Sequence, residues 1–237
     1  MVSIKDDRGF NQGFKPSKTL EVRNDRRFSY ILNKIDLTRK SDILEIGCGL
    51  GDLSSFLARH SKNNILGTDL CSPFIATAKE TFRLPNLTFQ ALDFNHPEIL
   101  DGKTFDYIVG NGILHHLYYE IDQALVNLGR LLKNKGRIIF LEPNLLNPYC
   151  YLIFNTTPYF RRKANLEPTE KAFTKSFIHK KLTLSGFKNI EIEYRDFLIP
   201  PTPYKLVKPT IIIGDLLEKI PLLKLTSQSL FISAEKD

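Results

Sequence analysis

Ile43-Leu44-Glu45-Ile46-Gly47-Cys48-Gly49-Leu50-Gly51-Asp52 is the stretch that decides the fold of this 237-residue chain. A short apolar run ends in three alternating glycines, and Leu53, Phe56 and Leu57 follow at helical spacing. Strand, tight turn and helix in that order open a parallel βα sheet. Glycines at 47, 49 and 51 let the backbone turn sharply and approach a ligand with no Cβ atoms in the way. Three of them behind an acidic residue exceed what a turn alone requires, so the loop reads as a binding element. It departs from the dinucleotide fingerprint G-x-G-x-x-G, because Asp52 stands three residues after Gly49. Glu45 and Asp52 would repel a pyrophosphate, which disfavours a nicotinamide oxidoreductase and suits a ligand bearing cationic groups.

Working outward, strand patterns recur at 64–70, 87–92, 105–109 and 137–141. Helix signals lie between them: Ser72-Pro73 has the form of a helix start, and Ile121, Leu125, Leu128 and Leu131 mark one helical face. Five βα units in about 100 residues require a doubly wound parallel sheet, with its ligand site at the carboxyl ends of the strands. A helix at 174–184, a strand at 189–194 and a last strand at 229–234 should add an antiparallel pair, for seven strands in all. Residues 18–36 read as a helix preceding the sheet. The chain therefore divides into an N-terminal helical cap (1–40), a core (41–142), and two proline-rich irregular insertions (143–173 and 197–227) within a single α/β domain.

Asp69 ends the second strand, where a carboxylate can accept both hydrogens of a ribose diol, and Leu70 follows it. Asp93 ends the third strand, with Phe94 beside it, and could accept from an adenine amino group while the ring packs on the base. Singly, either aspartate is most often a turn residue or a cap. With Glu45 they form a row along one edge of the sheet. His115 and His116 follow the fourth strand, and Glu142 ends the fifth. His60, His96 and His179 have no partner at metal-ligand spacing, so no metal site is expected.

In these pieces the sequence resembles the class I S-adenosylmethionine-dependent methyltransferases over residues 42–142. They are I-L-E-I-G-C-G-L-G at 43–51, G-T-D-L at 67–70, A-L-D-F at 91–94, F-D-Y-I-V-G-N-G-I-L-H-H-L at 105–117 and L-L-K-N-K-G-R-I-I-F-L-E-P at 131–143. The last two look most like the small-molecule, quinone-biosynthesis branch. The resemblance implies a Rossmann-like sheet and S-adenosyl-L-methionine as cofactor, with S-adenosyl-L-homocysteine as product. It implies that the glycine loop with Gly47, Cys48, Gly49 and Gly51 holds the methionine part, Asp69 the ribose hydroxyls, and Asp93 and Phe94 the adenine, with Asn111 near the sulfonium; Glu45 and Leu70 join the cofactor-binding set. A histidine at the place of His116 recurs in related enzymes, which favours it over His115 as a base near neutral pKa; Glu142 is the other candidate base or acceptor-positioning group. A non-catalytic cofactor-binding protein is the alternative outside enzymes.

The net charge of +7 is unevenly spread: +5 over 1–40, −3 over 41–142 and +5 over 143–237. The acidic middle suits a cationic cofactor, and the basic ends should build an acceptor lid. The first insertion is aromatic-rich, and 206–225 is apolar with Lys208, Lys219 and Lys224 interspersed. A lid over an apolar pocket is the favoured reading of that stretch, and a peripheral membrane contact is the other. Both point to a small, hydrophobic or lipid-like acceptor, and the basic groups to an anionic group on it or on the surface delivering it. Nucleic acid is disfavoured: the N-P-P-Y-like motif is absent after the fourth strand, Asn147-Pro148-Tyr149 is misplaced after the fifth, and Arg161-Arg162-Lys163 reads as a solvated turn. Three widely spaced cysteines and the absence of an apolar run in the first ten residues suggest a reducing, cytoplasmic setting.

Overall fold

A computed structural model describes residues 17–100 and 102–237. Residues 1–16 of the expected N-terminal cap lie outside the described residues. The chain runs α1 (Lys18–Leu32), β1 (Asp42–Ile46), α2 (Asp52–His60), β2 (Asn64–Asp69), α3 (Ser72–Thr81), β3 (Leu87–Ala91), β4 (Phe105–Asn111), α4 (Ile121–Leu131), β5 (Leu132–Pro143), α5 (Pro148–Asn155), α6 (Pro158–Lys163), α7 (Lys175–Leu184), β6 (Phe187–Arg195), α8 (Tyr204–Leu217) and β7 (Ser229–Lys236). All seven strands form one sheet in the order β3-β2-β1-β4-β5-β7-β6. β1 to β5 pair in parallel and β7 runs antiparallel between β5 and β6.

The strand order reverses between β1 and β4, where the crossovers leave in opposite directions and open a crevice at the carboxyl ends. Alternate residues of each strand supply the two layers of core. Ile43 and Val109 pack with Leu53, Leu57 and Ile75 on one face, while Leu44, Ile108 and Phe140 pack with Leu125, Leu128 and Ile178 on the other. Leu125 and Leu128 are fully buried. Leu125→Ala should cost about 2–5 kcal/mol by transfer and cavity terms, read as a lowered denaturant midpoint; a midpoint unchanged from wild type would contradict this packing.

Helix content in the two insertions exceeds the sequence expectation. The stretch 143–173 contains α5 and α6, and 197–227 contains α8. Pro148 and Pro158 stand at the first turns of α5 and α6, where a missing N–H costs nothing, so these prolines of the irregular-looking insertion are helix starts. Pro209 does sit inside α8, which forgoes one backbone hydrogen bond there. Asn147 caps α5: its Oδ1 accepts from the Cys150 amide at 3.1 Å, and its Nδ2 donates to the Thr226 carbonyl at 2.7 Å. Asn147-Pro148-Tyr149 thus begins a helix and ties the two insertions together. The first insertion leaves the sheet at Pro143 and returns at Phe173, whose amide donates to the Pro143 carbonyl at 3.1 Å.

Candidate active site

The glycine loop leaves β1 with three residues in the left-handed region, Gly47 at φ +66°, Gly49 at +53° and Gly51 at +87°. At Gly47 a Cβ would lie 2.5 Å from Ile113 Cδ1, and at Gly51 it would lie 2.6 Å from Phe89 Cζ. Only glycine satisfies both the dihedral and the approach. Asp69 holds the loop's shape from the end of β2. Its Oδ2 accepts from the Gly49 amide at 2.8 Å and its Oδ1 from the Cys71 amide at 2.9 Å. Glu45 lies beneath the loop, 2% exposed, and accepts a hydrogen bond from the Ser54 hydroxyl. Burial pushes its carboxyl up to about 8 against the pull of that hydrogen bond, with the charges of Asp69 and Asp52 pushing further upward. Glu45 is therefore mostly protonated at neutral pH and contributes less negative charge than its sequence position suggested.

A cavity of about 720 Å³ opens at this edge of the sheet. Its walls include Glu45, Gly47, Cys48, Gly49, Asp69, Leu70, Asp93, Phe94, Asn111, His115 and His116, which brings together nearly all the residues singled out in the sequence. Gly51 and Glu142 stand outside the wall. Gly51 acts one step back, as the left-handed residue before α2. Leu70 is half-exposed, and with Phe74, Leu92 and Phe94 it makes an apolar slot flanked by the Asp69 and Asp93 carboxylates. Asp93 is exposed, and its Oδ1 accepts from the Asn95 amide at 2.9 Å. An apolar slot between two carboxylates, next to a backbone cradle, is a donor and acceptor set that fits an adenosine carrying an amino-acid tail.

Glu142 must be corrected. It is fully buried, and its two oxygens accept from the amides of Ile113 (3.0 Å), Leu114 (2.8 Å) and His115 (3.2 Å) as well as from the His115 ring at 2.9 Å. A carboxylate so engaged has no lone pair aimed at an acceptor, so it fixes the turn after β4 and orients His115. His115 Nε2 lies 3.5 Å from Glu170 Oε2, so both ring nitrogens face carboxylates. Burial alone would lower its pKa, but hydrogen bonds to Glu142 and Glu170 outweigh burial and raise it to about 9. His115 is thus an imidazolium at neutral pH, a cationic anchor rather than a neutral base. His116 is more open, 30% exposed, with Nδ1 3.3 Å from Glu170 Oε1 and 4.0 Å from Glu167 Oε1.

The raised His115 pKa has a stability consequence. Its stabilisation is complete below the ordinary imidazole value of 6.5 and disappears as pH rises through about 9. Wild-type stability should fall between those limits by on the order of 3 kcal/mol, and Glu142→Gln should flatten the fall. Equal pH dependence in chemical denaturation of the two proteins would contradict the ion pair. His115, His116 and Glu170 also bring ligand-type atoms within 4.8 Å of one another, but with both His115 ring nitrogens turned to carboxylates the charged ring offers no lone pair to a cation.

Several wall residues were missed in the sequence. On α1, Arg23 and Arg27 are buried among the wall residues. Arg27 Nε donates to Asn111 Oδ1 at 2.6 Å, and its NH1 donates to Ser229 Oγ at 2.5 Å and Gln228 Oε1 at 3.2 Å. Arg23 donates to the Leu198 carbonyl and to Gln228 Oε1. Burial lowers the Arg27 pKa to about 9. Asn111 is therefore held by α1, and the N-terminal helix joins the floor of the cavity. Glu167 and Glu170 come from the first insertion. Arg161 positions them, since it donates to the carbonyls of Phe154 (2.7 Å), Glu167 (2.5 Å), Pro168 (3.2 Å) and Glu170 (3.1 Å). Arg161 is not the solvated turn residue expected. Periodicity marks apolar faces and carries no signal for such cross-chain polar pairings. The lysines of the second insertion, Lys205, Lys208, Lys219 and Lys224, are exposed and absent from the cavity wall, so its basic excess faces outward.

Residues 44–138 match a family model described as a methyltransferase domain. The chain is 32% identical over 168 residues to the ubiquinone biosynthesis O-methyltransferase of Coxiella burnetii, a match covering 68% of this chain and 67% of that protein. It is 31% identical over 130 residues to a hybrid PKS-NRPS synthetase of Penicillium citrinum, covering 49% of this chain but 3% of that protein. A match to a highly reducing polyketide synthase of Aspergillus niger likewise spans 7% of the relative. Among solved structures, a SAM dependent methyltransferase from Archaeoglobus fulgidus superposes with a TM-score of 0.63 at 19% identity, covering 91% of this chain and 94% of that one. At that identity the likeness concerns the fold.

Proposed function

The chain belongs to the class I S-adenosylmethionine-dependent methyltransferases, and from that premise we propose that it methylates a small hydrophobic or lipid-like acceptor carrying an anionic group. The observation that carries the reading is one cavity that joins the glycine loop and Asp69 to the His115–His116–Glu170 cluster. The loop amides and Glu45 hold the amino-acid tail of the cofactor, Asp69 the ribose hydroxyls, and Leu70, Asp93 and Phe94 the adenine. When bound, S-adenosylmethionine would supply an electrophilic methyl to the acceptor, with S-adenosylhomocysteine as the leaving product. Leu20, Phe28, Ile113, Leu117 and Leu166 give the remaining wall an apolar lining for the acceptor, and Arg23 offers positive charge to its anionic group, Arg27 being engaged by Asn111, Gln228, Ser229 and the Leu141 carbonyl with Asp196 3.9 Å away. His116 takes the acceptor's proton, with Glu170 orienting its ring and stabilising the imidazolium that forms. His115, already charged, anchors Glu170.

Calorimetric titration tests the cofactor half. S-Adenosylhomocysteine should bind and NAD should not; heat with NAD alone would contradict the reading. Binding should also release a proton near pH 7, because the ligand's ammonium ionises the mostly protonated Glu45. The apparent enthalpy should then vary with the ionisation enthalpy of the buffer, and Glu45→Gln should remove that variation. A buffer-independent enthalpy in the wild type would rule out this role for Glu45.

A further inference from the structure

We propose that the outer face of α8 and the turn after it is a docking surface for an anionic lipid bilayer. The proposal deepens the acceptor reading above and rests on it only for what the bilayer delivers. The surface is argued from its own geometry.

Eight of the 17 exposed large apolar side chains among the described residues lie between Tyr204 and Leu223. A lid packed on its core would turn such residues inward. Here α8 is attached by a narrow stripe, Val207 and Gly214, two turns apart and both buried. At Gly214 an added Cβ would lie 3.0 Å from Phe197 Cβ, so the helix approaches its support closely along that stripe. Ile212 and Leu216 sit roughly half a turn around the helix from Gly214 at about 100° per residue, and both are more than half exposed. Leu222, at 78%, and Leu223 extend the apolar face beyond the helix.

Charge selects the occupant. Lys205, Lys208, Lys219 and Lys224 are exposed and make no ion pair among the described residues. The two acids of the same stretch are turned to basic partners of the body: Asp215 bonds Arg26 at 2.8 Å, and Glu218 bonds Arg195 at 3.0 Å and accepts from the Asp196 amide at 2.7 Å. The outward face is thus apolar with four positive charges, complementary to a negatively charged lipid surface. A second copy of the same face would set lysines against lysines.

The patch continues onto the first insertion. Asn144 Nδ2 donates to the Leu225 carbonyl at 2.9 Å, and with the Asn147–Thr226 bond it ties the turn to the start of α5. There Leu146, Tyr151 and Leu152 are also exposed. Both insertions line the cavity, through Leu166 and Glu167 of the first and Pro200 of the second. The two insertions that carry the apolar patch thus also supply cavity wall, which couples the surface to the acceptor site.

Sedimentation with vesicles tests this on the full chain. The protein should pellet with vesicles of phosphatidylcholine containing phosphatidylglycerol, stay in solution with phosphatidylcholine alone, and be released by high salt. The quadruple variant Lys205→Glu, Lys208→Glu, Lys219→Glu, Lys224→Glu and the double variant Ile212→Asn, Leu216→Asn should each lower partitioning at least about tenfold. S-Adenosylhomocysteine affinity should remain unchanged in both, showing that the fold and cofactor site are intact. Wild type that stays in solution with the anionic vesicles, variants that sediment like wild type, or a dimer abolished by Ile212→Asn without vesicle binding would each overturn the proposal. Vesicle binding by a wild type that takes up no S-adenosylhomocysteine would instead count against the cofactor reading and leave the surface standing.

Discussion

His116→Ala should lower kcat by about 10²- to 10⁴-fold while S-adenosylhomocysteine affinity stays near wild type. The separation follows from where the ring stands. His116 lines the cavity and leans on Glu170, whereas the groups proposed for cofactor contact come from the loop after β1 and the ends of β2 and β3. Removing the imidazole leaves the acceptor's proton without a base at the moment the new bond forms. Glu170→Gln should give a smaller loss with a changed pH profile, because the amide can still accept a hydrogen bond but cannot stabilise an imidazolium. Turnover by His116→Ala equal to wild type would eliminate the base assignment and move attention to His115, whose pKa of about 9 would then have to appear in the pH–rate profile.

Gly47→Ala should remove measurable cofactor binding, a loss of at least about 100-fold for a penalty near 3 kcal/mol. Two costs combine. The residue sits at φ +66°, where an L side chain is strained. Its Cβ would also fall 2.5 Å from Ile113 Cδ1 and Cγ1 and 2.9 Å from Ile113 Cβ, so Ile113 must move. Ile113 has little room, since its amide is tied to Glu142 at 3.0 Å. Relief comes from displacing the side chain into the cavity or opening the loop, and either damages the cradle. Titration of the folded variant with S-adenosylhomocysteine checks this; wild-type affinity would show that the loop does not approach the ligand.

The parallel sheet was legible because its strands alternate with short helices and each element carries its own signal, from the glycines after Ile46 to the helix-start form of Ser72-Pro73. The row of Glu45, Asp69 and Asp93 was legible for the same reason: residues at successive strand ends share one edge. Less was readable where function depends on distant pairing. Nothing in the sequence around Arg27 announces that its guanidinium will hold Asn111, 84 residues away. Nor does Glu170 announce its place between two histidines, because the path from Pro143 to Phe173 is set by a return to the sheet and by the bonds of Arg161 to backbone carbonyls. Glu142 shows the opposite error. Its position at a strand end suggested chemistry, but four donors had already taken both its oxygens. The basic ends were expected to build the acceptor lid, and the lysines of the second insertion face outward instead, which favours the delivering surface over the acceptor as their anionic partner.

Transfer of label from methyl-labelled S-adenosylmethionine into a lipid-soluble extract, followed by mass spectrometry of the product, tests the central claim most directly. Wild type should move the label onto an amphipathic acceptor in step with S-adenosylhomocysteine formation, and His116→Ala should do so at least about 100-fold more slowly. Label retained on S-adenosylmethionine by a wild type that binds S-adenosylhomocysteine would contradict it and leave a cofactor-binding protein without methyl transfer.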